Sequence, residues 1–390
     1  MSEIFTETTR RGWFSRIASS VVGVLIGFLL VIGMIVLLFW NEGRAVQTAR
    51  SLAEGAGAVV SVAADTVDPA NEGKLVHVAG QIETDETLTD PDFGISSRGV
   101  VLVRRAEMYQ WTEDQKSETR KTLGGGEETV TTYSYRKDWL DEPKDSSTFR
   151  QPSGHENPEM RWCDKSFALL NARLGARELD VQTLSRVGGN EARPVTPAEA
   201  QAVRDTFGWG DASVSQGRIY VGGDPNAPKI GDQRISYELA PLGPISVIAR
   251  QQGNGFSHYQ TSAGDALFMV ERGTVPAAQM FADAVSANTA VTWILRAVGV
   301  LLLTIGFALT MGPIGVIADV IPFLGTLVRM GTGLVAVALA VLVGSIVIAF
   351  AWVWYRPLLA LAILGAGVLV AWLVGRYAKR TAPAATPAAA

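Results

Sequence analysis

Long apolar stretches interrupt an otherwise ordinary mixed sequence. The stretches that contain no Asp, Glu, Lys or Arg are residues 17–40, 297–318, 330–355 and 357–375. A helix needs about 20 apolar residues to cross the hydrocarbon core of a bilayer. The pattern therefore predicts a multi-pass membrane protein with one N-terminal and three C-terminal transmembrane helices, at 17–40, 292–311, 331–354 and 357–375.

Tryptophans mark the ends of these predicted helices. Of the ten in the chain, six fall there: Trp13, Trp40, Trp293, Trp352, Trp354 and Trp372. Such clustering is typical of the membrane–water interface. The first stretch is longer than the apolar core of a signal peptide, which has about 7–15 residues. We therefore expect an uncleaved anchor.

Basic residues flank the first and last stretches. Residues 1–16 form an arm with Arg10, Arg11 and Arg16, and the tail 376–390 begins with further basic residues before a Thr/Ala/Pro-rich end. The positive-inside rule predicts that both ends are cytoplasmic. It follows that residues 41–290 lie outside the cytoplasm, in a periplasm or a lumen.

Residues 312–330 are apolar but broken by Pro and Gly. This composition predicts an interfacial or re-entrant segment on the cytoplasmic side. Its charges are Asp319 and Arg329. Asp319 could be an ion or proton site, although a polar residue at head-group depth beside Arg329 is the preferred interpretation.

The segment 41–290 has strand-like and helical patterns. Apolar alternation predicts strands at 74–82, 100–111, 129–135, 218–221, 234–239, 245–251 and 266–271. The sequence Thr196-Pro197-Ala198-Glu199 predicts a helix start, and short helices are expected at 164–173 and 276–288. The predicted fold is α+β, either as one β-rich domain or as two β-rich units around a helical insert at 160–215.

Composition excludes several functions. The chain is 48% hydrophobic and 18% charged, with a net charge of −4, so no basic excess favours nucleic acid. The lone Cys163 excludes intrachain disulfides and cysteine-based zinc sites.

The histidines His77, His155 and His258 lie far apart, and His155 is interpreted as a turn residue. Gly124-Gly125-Gly126 is interpreted as a turn because no phosphate-loop lysine follows it. We predict no catalytic, cofactor-binding or metal-binding residues, and no enzyme.

The remaining candidates concern packing and contacts. Gly23 and Gly27 form a GxxxG pattern that could pair helices. Arg104, Arg105, Arg296 and Arg329 are candidate interaction or lipid contacts. For Arg104 and Arg105 the alternative is an ion pair with acidic neighbours, and Arg296 could extend to the head groups.

A collinear series of short motifs runs along the chain: Asn41-Glu42-Gly43-Arg44, Ser51-Leu52-Ala53-Glu54-Gly55, Asn71-Glu72-Gly73-Lys74-Leu75-Val76-His77, Glu107-Met108-Tyr109-Gln110-Trp111, Tyr133-Ser134-Tyr135, Gly154-His155-Glu156-Asn157-Pro158, Gly231-Asp232-Gln233-Arg234, Val247-Ile248-Ala249-Arg250-Gln251 and Tyr355-Arg356-Pro357-Leu358. In order and spacing this series resembles the transmembrane protein 43 (TMEM43, or LUMA) family. The resemblance implies four spans, one large lumenal domain and self-association, and it supplies no catalytic residues. The Ala/Gly-rich composition suggests a bacterial member.

These features together predict a non-enzymatic membrane scaffold that self-associates and presents a periplasmic or lumenal interaction domain. The expected partners are the lipid bilayer and further copies of the chain; other protein partners are unknown, and no nucleic acid is expected. The expected location is a bacterial inner membrane. The alternatives are a membrane-surface enzyme or lipid-handling protein, and an oligomeric channel.

Overall fold

A computed structural model describes residues 4–207, 212–358, 361, 362 and 369. Its helices are α1 (Trp13–Ala58), α2 (Val181–Leu184), α3 (Pro197–Phe207), α4 (Ala277–Thr310), α5 (Gly312–Ala318) and α6 (Pro322–Tyr355). Its strands are β1 (Ile4–Arg11), β2 (Val60–Val62), β3 (Leu75–Glu83), β4 (Leu88–Asp90), β5 (Ile95–Ser97), β6 (Val101–Lys121), β7 (Glu127–Leu140), β8 (Lys165–Ala168), β9 (Ala172–Leu174), β10 (Arg177–Leu179), β11 (Glu191–Arg193), β12 (Ala212–Ser215), β13 (Arg218–Val221), β14 (Gln233–Ala240), β15 (Pro244–Gln252), β16 (Gly255–Ser257), β17 (Tyr259–Gln260), β18 (Ala266–Leu267) and β19 (Met269–Arg272).

The chain divides into two compact units. The sheet unit comprises Met1–Arg10, Ser51–Arg120 and Glu128–Ala284, and the helix unit comprises Arg11–Arg50, Lys121–Glu127 and Val285–Ala390. The sheet unit thus contains most of the predicted β-rich domain. The helix unit contains the long apolar segments.

Two large sheets form most of the sheet unit, and β4 with β5 and β17 with β18 form two further two-stranded sheets. The larger has the strand order β1-β7-β6-β14-β13-β12, with β11 beside β14 and β8 beside β6. The smaller has the order β10-β9-β3-β15-β16, with β19 beside β15 and β2 beside β3. One hydrophobic core takes side chains from both sheets, for example Val78 and Val247 from the smaller and Leu102 and Ile235 from the larger.

Strand β3 explains why the smaller sheet is buried on both faces. Successive side chains of a strand point to opposite faces. Val76 and Val78 enter the core shared by the two sheets. Leu75 packs instead in a second cluster with Leu52 of α1 and Met280 of α4. The ends of two long helices therefore cover the outer face of this sheet within the sheet unit.

The predicted helical insert is mostly extended. A helix is expected at 164–173, but residues 165–168 form β8 and residues 172 and 173 begin β9. Helices α2 and α3 are the only helical elements described between 160 and 207. Leu174, Leu184 and Val203 of this region belong to the shared core. Burial against the sheets overrides weak local preference, so the described insert completes one core rather than separating two.

The predicted hairpin is present and longer than expected. Strands β6 and β7 meet at a turn in which Gly124 and Gly125 have φ of +86° and +78°. This left-handed backbone is available to glycine at no steric cost. The interpretation of the Gly-Gly-Gly sequence as a turn is confirmed.

Within the described residues, three helices are long and apolar enough to cross a membrane: α1, α4 and α6. Leu38 of α1, Leu303 of α4 and Ala340 of α6 form their shared core. The predicted fourth span, 357–375, lies almost wholly outside the described residues. Of the four predicted spans, the structure therefore describes three.

The segment 312–330 is not one interfacial element. Its first half is the short helix α5, and its second half begins α6, which continues as the third long apolar helix. Pro322 suits the first helical position because its missing N–H would be unpaired there. Arg329 does not interrupt the helix, because its charge is paired with Asp319.

The basic arm is also a strand. Residues 4–11 form β1, an edge strand beside β7. Arg150 Nη2 lies 2.8 Å from Glu7 Oε1, and Arg10 Nη2 lies 2.9 Å from Glu128 Oε1. Paired strands share backbone hydrogen bonds, and no bilayer can lie between them. The charge pattern predicts that residues 4–11 and the large domain lie on opposite sides of the membrane. The strand pairing in the structure does not agree with that prediction.

Candidate functional site

A buried ion pair joins α1 to α4. Glu42 lies two residues after the first apolar stretch, and its side chain is 1% exposed. Arg296 Nε donates to Glu42 Oε1 at 2.6 Å, and Arg296 Nη2 donates to Glu42 Oε2 at 2.8 Å. Two parallel bonds of this kind are the strongest arrangement for an arginine and a carboxylate.

Helix α6 contributes to the same cluster. Trp352 Nε1 donates to Glu42 Oε2 at 2.9 Å. The Arg296 guanidinium lies 4.7 Å from the ring centroid of Trp293 and 5.9 Å from that of Trp352. These are cation–π distances. A single carboxylate therefore connects the three long helices described.

The neighbours of Glu42 in the Asn41-Glu42-Gly43-Arg44 motif also bind α4 or α6. Asn41 Nδ2 donates to the Thr292 carbonyl at 3.1 Å, and Arg44 donates to Asn288 Oδ1 and Thr292 Oγ1, each at 3.0 Å. A Cβ on Gly43 would lie 2.7 Å from the Tyr355 ring. The motif is a helix-joining element, which we call the Glu42 cluster.

A second buried cluster surrounds Asp319, at the turn between α5 and α6. The Asp319 side chain is fully buried and accepts hydrogen bonds from Arg16 and Arg329. Lys121 Nζ lies 3.6 Å from Asp319 Oδ2 and 2.8 Å from Glu127 Oε2. Arg16 Nε lies 3.1 Å from Glu127 Oε2. We call this set the Asp319 cluster.

Burial alone would raise the pKa of Asp319. The hydrogen bonds from Arg16 and Arg329 outweigh that effect and hold the pKa below its usual range. An aspartate kept ionised in this way does not exchange protons near neutral pH. The geometry favours the prediction of a polar residue near Arg329 over a proton site.

The Asp319 cluster contradicts one consequence of the predicted topology. Lys121 and Glu127 come from the segment predicted outside the cytoplasm, whereas Asp319 is predicted on the cytoplasmic side. Direct ion pairs join them. Charged groups in contact lie on one side of a bilayer, so these segments are not separated in the structure.

The two candidate arginines in the sheet unit, Arg104 and Arg105, are paired with carboxylates. Arg104 Nη1 donates to Asp90 Oδ2 at 3.0 Å and to Asp92 Oδ2 at 2.7 Å. The hydrogen bond from Arg104 lowers the pKa of Asp92. Arg105 Nη1 donates to Asp164 Oδ2 at 2.7 Å and approaches Glu238 on the neighbouring strand. The structure thus has the ion-pair alternative at both positions.

The two candidate glycines differ. A Cβ on Gly27 would lie 2.6 Å from the Gly306 carbonyl oxygen, so α1 and α4 approach closely there. A Cβ on Gly23 would have no neighbour within 4 Å. Gly27 therefore packs inside this chain, whereas Gly23 faces open space.

His155 is buried in a turn. Its Nδ1 lies 2.9 Å from the Gln151 carbonyl oxygen, and its ring stacks on Tyr135 with centroids 4.0 Å apart. The Tyr135 hydroxyl donates to Glu113 Oε2 at 2.6 Å. Burial, together with this carboxylate, raises the pKa of Tyr135 to about 12. The site packs the base of the hairpin, in agreement with the turn interpretation.

Other chemistry is sparse in the described part of the chain. No group of three or more His, Cys, Asp or Glu residues there could hold a metal ion. A cleft of about 910 Å³ in the sheet unit is lined by thirteen residues, of which five are acidic, among them Glu83, Glu86 and Asp180. None of the candidate arginines lines this cleft.

Glu42 is a site residue that was not among the predicted ones. A usable signal was present, because the first charged residue after one apolar stretch is the carboxylate Glu42 and the residue directly before another is Arg296. Charges at the ends of apolar helices often pair with each other. Arg296 is instead expected to extend towards lipid head groups, and the structure turns it inward.

Comparison with known proteins agrees with these motifs. The family model "Transmembrane protein 43" matches residues 108–357. Transmembrane protein 43 of Mus musculus is 32% identical over 383 residues, covering 95% of this chain and 94% of that protein. The Homo sapiens protein is 32% identical over 381 residues, covering 95% and 93%. The Drosophila melanogaster homolog is 28% identical over 357 residues, covering 88% and 91%.

No solved structure matches the chain. The family match covers well over half of the sequence, and the long apolar helices agree with it. The chain is an integral membrane protein and belongs to the transmembrane protein 43 family.

Proposed function

We propose that this protein is a non-enzymatic membrane scaffold that self-associates through its apolar helices and presents the sheet unit as an interaction domain. We place it in a bacterial inner membrane with the sheet unit in the periplasm. The Glu42 cluster supports a structural role, because its carboxylate is fully used in joining helices.

The observation that carries the proposal is a set of glycines on the outer faces of two helices. Gly23 and Gly33 of α1, and Gly331 and Gly333 of α6, each have open space where a Cβ would lie. In lipid, small residues allow two helices to approach closely. Such surfaces suit contacts with a second copy of the chain.

The engagement of ionisable side chains in ion pairs and packing supports the proposal that the protein is not an enzyme. Arg104, Arg105, Arg296 and Arg329 each hold a carboxylate. His155 is stacked inside a turn. Groups engaged in this way are poorly placed to attack a substrate or transfer its protons.

Co-purification tests self-association through these surfaces. Two differently tagged copies would be expressed together and extracted in mild detergent. We expect Gly23→Leu combined with Gly331→Leu to reduce recovery of the second copy strongly, while the wild-type pair co-purifies. Equal recovery from the variant and the wild type would overturn the assignment of these surfaces.

A further inference from the structure

The Asp319 cluster has more positive than negative charge. Its carboxylates are Asp319 and Glu127, and its paired cations are Arg16, Lys121 and Arg329. Arg11 is a fourth cation, and its backbone carbonyl oxygen lies 3.5 Å from the position of a Cβ on Gly126, the residue before Glu127. Burial would raise the pKa of Glu127, yet Lys121, Arg16 and Arg11 bring it below its usual value. Four cations face two carboxylates, which leaves an excess of two positive charges.

Buried positive charge in excess of the neighbouring carboxylates lowers the stability of the fold. The Arg16 side chain is only 6% exposed, so water does little to solvate it. A buried charge without full compensation destabilises a fold. Arg11 is exposed at the edge of the cluster. An anion placed beside Arg11 would therefore balance the charge without displacing a buried group.

Exposed apolar side chains lie on the helices that contain or adjoin Arg16, Asp319 and Arg329 of the same cluster. Phe14 at the start of α1 and Phe323 at the start of α6 are 81% and 75% exposed. Ile314 and Ile317 of α5 are also exposed. In an integral membrane protein such side chains contact lipid tails. Cations beside them lie at the depth of the head groups.

We propose that the Asp319 cluster binds the phosphate of an anionic phospholipid head group, with Arg11 and Lys121 as its main contacts. Guanidinium and ammonium groups hold phosphate oxygens through charge-assisted hydrogen bonds. The exposed aromatic and aliphatic residues hold the adjoining acyl chains. A free phosphate ion would satisfy only the first of these interactions, so the lipid is the favoured source.

Thermal unfolding of the full chain in a mild non-ionic detergent tests this proposal. Dioctanoyl phosphatidylglycerol, dioctanoyl phosphatidylcholine and inorganic phosphate would be titrated separately. We expect phosphatidylglycerol to raise the unfolding midpoint saturably and the other two to have little effect. Equal shifts with both lipids, or full effect from phosphate alone, would overturn the lipid assignment.

Adjacent arginines supply a matched control. Arg11→Gln removes an unneutralised charge, so the apparent affinity for phosphatidylglycerol should fall about fivefold. Arg10→Gln removes a charge that Glu128 already neutralises, so the affinity should stay at the wild-type value. Both positions are exposed, so neither variant threatens folding. An unchanged affinity in Arg11→Gln would contradict the proposal, and the result does not depend on whether the protein self-associates.

Discussion

Arg296 Nε and Nη2 donate to the two carboxylate oxygens of Glu42 at 2.6 and 2.8 Å, across the contact between α4 and α1. Both residues lie at the end of an apolar stretch, where a charge would ordinarily face water or lipid head groups. Trp352 of α6 donates to the same carboxylate. The pair thereby fixes the mutual register of three membrane helices.

Removing the charge of either Glu42 or Arg296 should lower the stability of the folded protein. Breaking a buried ion pair by deleting one charge typically costs about 3–5 kcal/mol. We expect Glu42→Gln and Arg296→Gln each to lower the thermal unfolding midpoint of the detergent-extracted protein markedly. Differential scanning fluorimetry measures this directly.

Replacing both Glu42 and Arg296 distinguishes the effect of charge pairing from the effect of side-chain packing. Replacing both partners of a buried ion pair with apolar residues is often nearly neutral. The variant carrying both Glu42→Met and Arg296→Met should therefore be more stable than either single glutamine variant. If it were the least stable of the three, the cluster would act through something other than mutual charge compensation.

Sequence patterns predict the long helices well because transfer of an apolar segment into lipid dominates every local preference. The strands β3, β6, β14 and β15 follow from alternation and from β-branched residues. The arm β1 could not be predicted in the same way. Its arginines are a strong topology signal, and the partner strand β7 lies more than a hundred residues away.

Gly27 and Gly23 should respond differently to the same substitution. Leucine at Gly27 would collide with the Gly306 backbone, whereas leucine at Gly23 would enter open space. We predict that Gly27→Leu lowers the unfolding midpoint substantially and that Gly23→Leu leaves it close to the wild type. Equal loss of stability at the two positions would contradict the described contact between α1 and α4.

Asp319 predicts a specific pH dependence. Its pKa is lowered in the folded protein relative to the ordinary value of 3.8. The stabilisation it provides is therefore complete above that ordinary pKa and is lost as the pH falls through the lowered one. Wild type should exceed Asp319→Asn in stability at neutral pH, and the difference should shrink below a pH of about 4. A difference that is constant across this range would count against the ion pairs.

Lone Cys163 is exposed and reports the side on which the sheet unit lies. Thr8 in β1 is also exposed, so Thr8→Cys in a Cys163→Ser background reports the side of the arm. The pairing of β1 with β7 predicts that both cysteines react with a membrane-impermeant maleimide from the same side, whereas a bilayer crossed once by α1 between Thr8 and the sheet unit predicts reaction from opposite sides. Reaction from opposite sides would support the positive-inside prediction instead and exclude the strand pairing in the membrane. Labelling after detergent permeabilisation controls for general reactivity.

The candidate site was predictable only in part. The motif Asn41-Glu42-Gly43-Arg44 is visible in the sequence, but its role in joining helices depends on which helices pack against it. Asp319 and Arg329 are close in sequence, and their pairing could be expected. The contribution of Lys121 and Glu127 could not, because a hairpin tip carries no local signal for its distant contacts. Non-local charge pairing is where sequence reasoning fails in this protein.

The molecular mass of the full chain in mild detergent tests the central claim most directly. Light scattering combined with size-exclusion chromatography, corrected for bound detergent, gives the protein mass of the particle. A self-associating scaffold predicts a mass that is a multiple of 41.7 kDa, and that falls towards a single copy in Gly23→Leu combined with Gly331→Leu. A particle of one chain at every concentration in wild type would contradict the account.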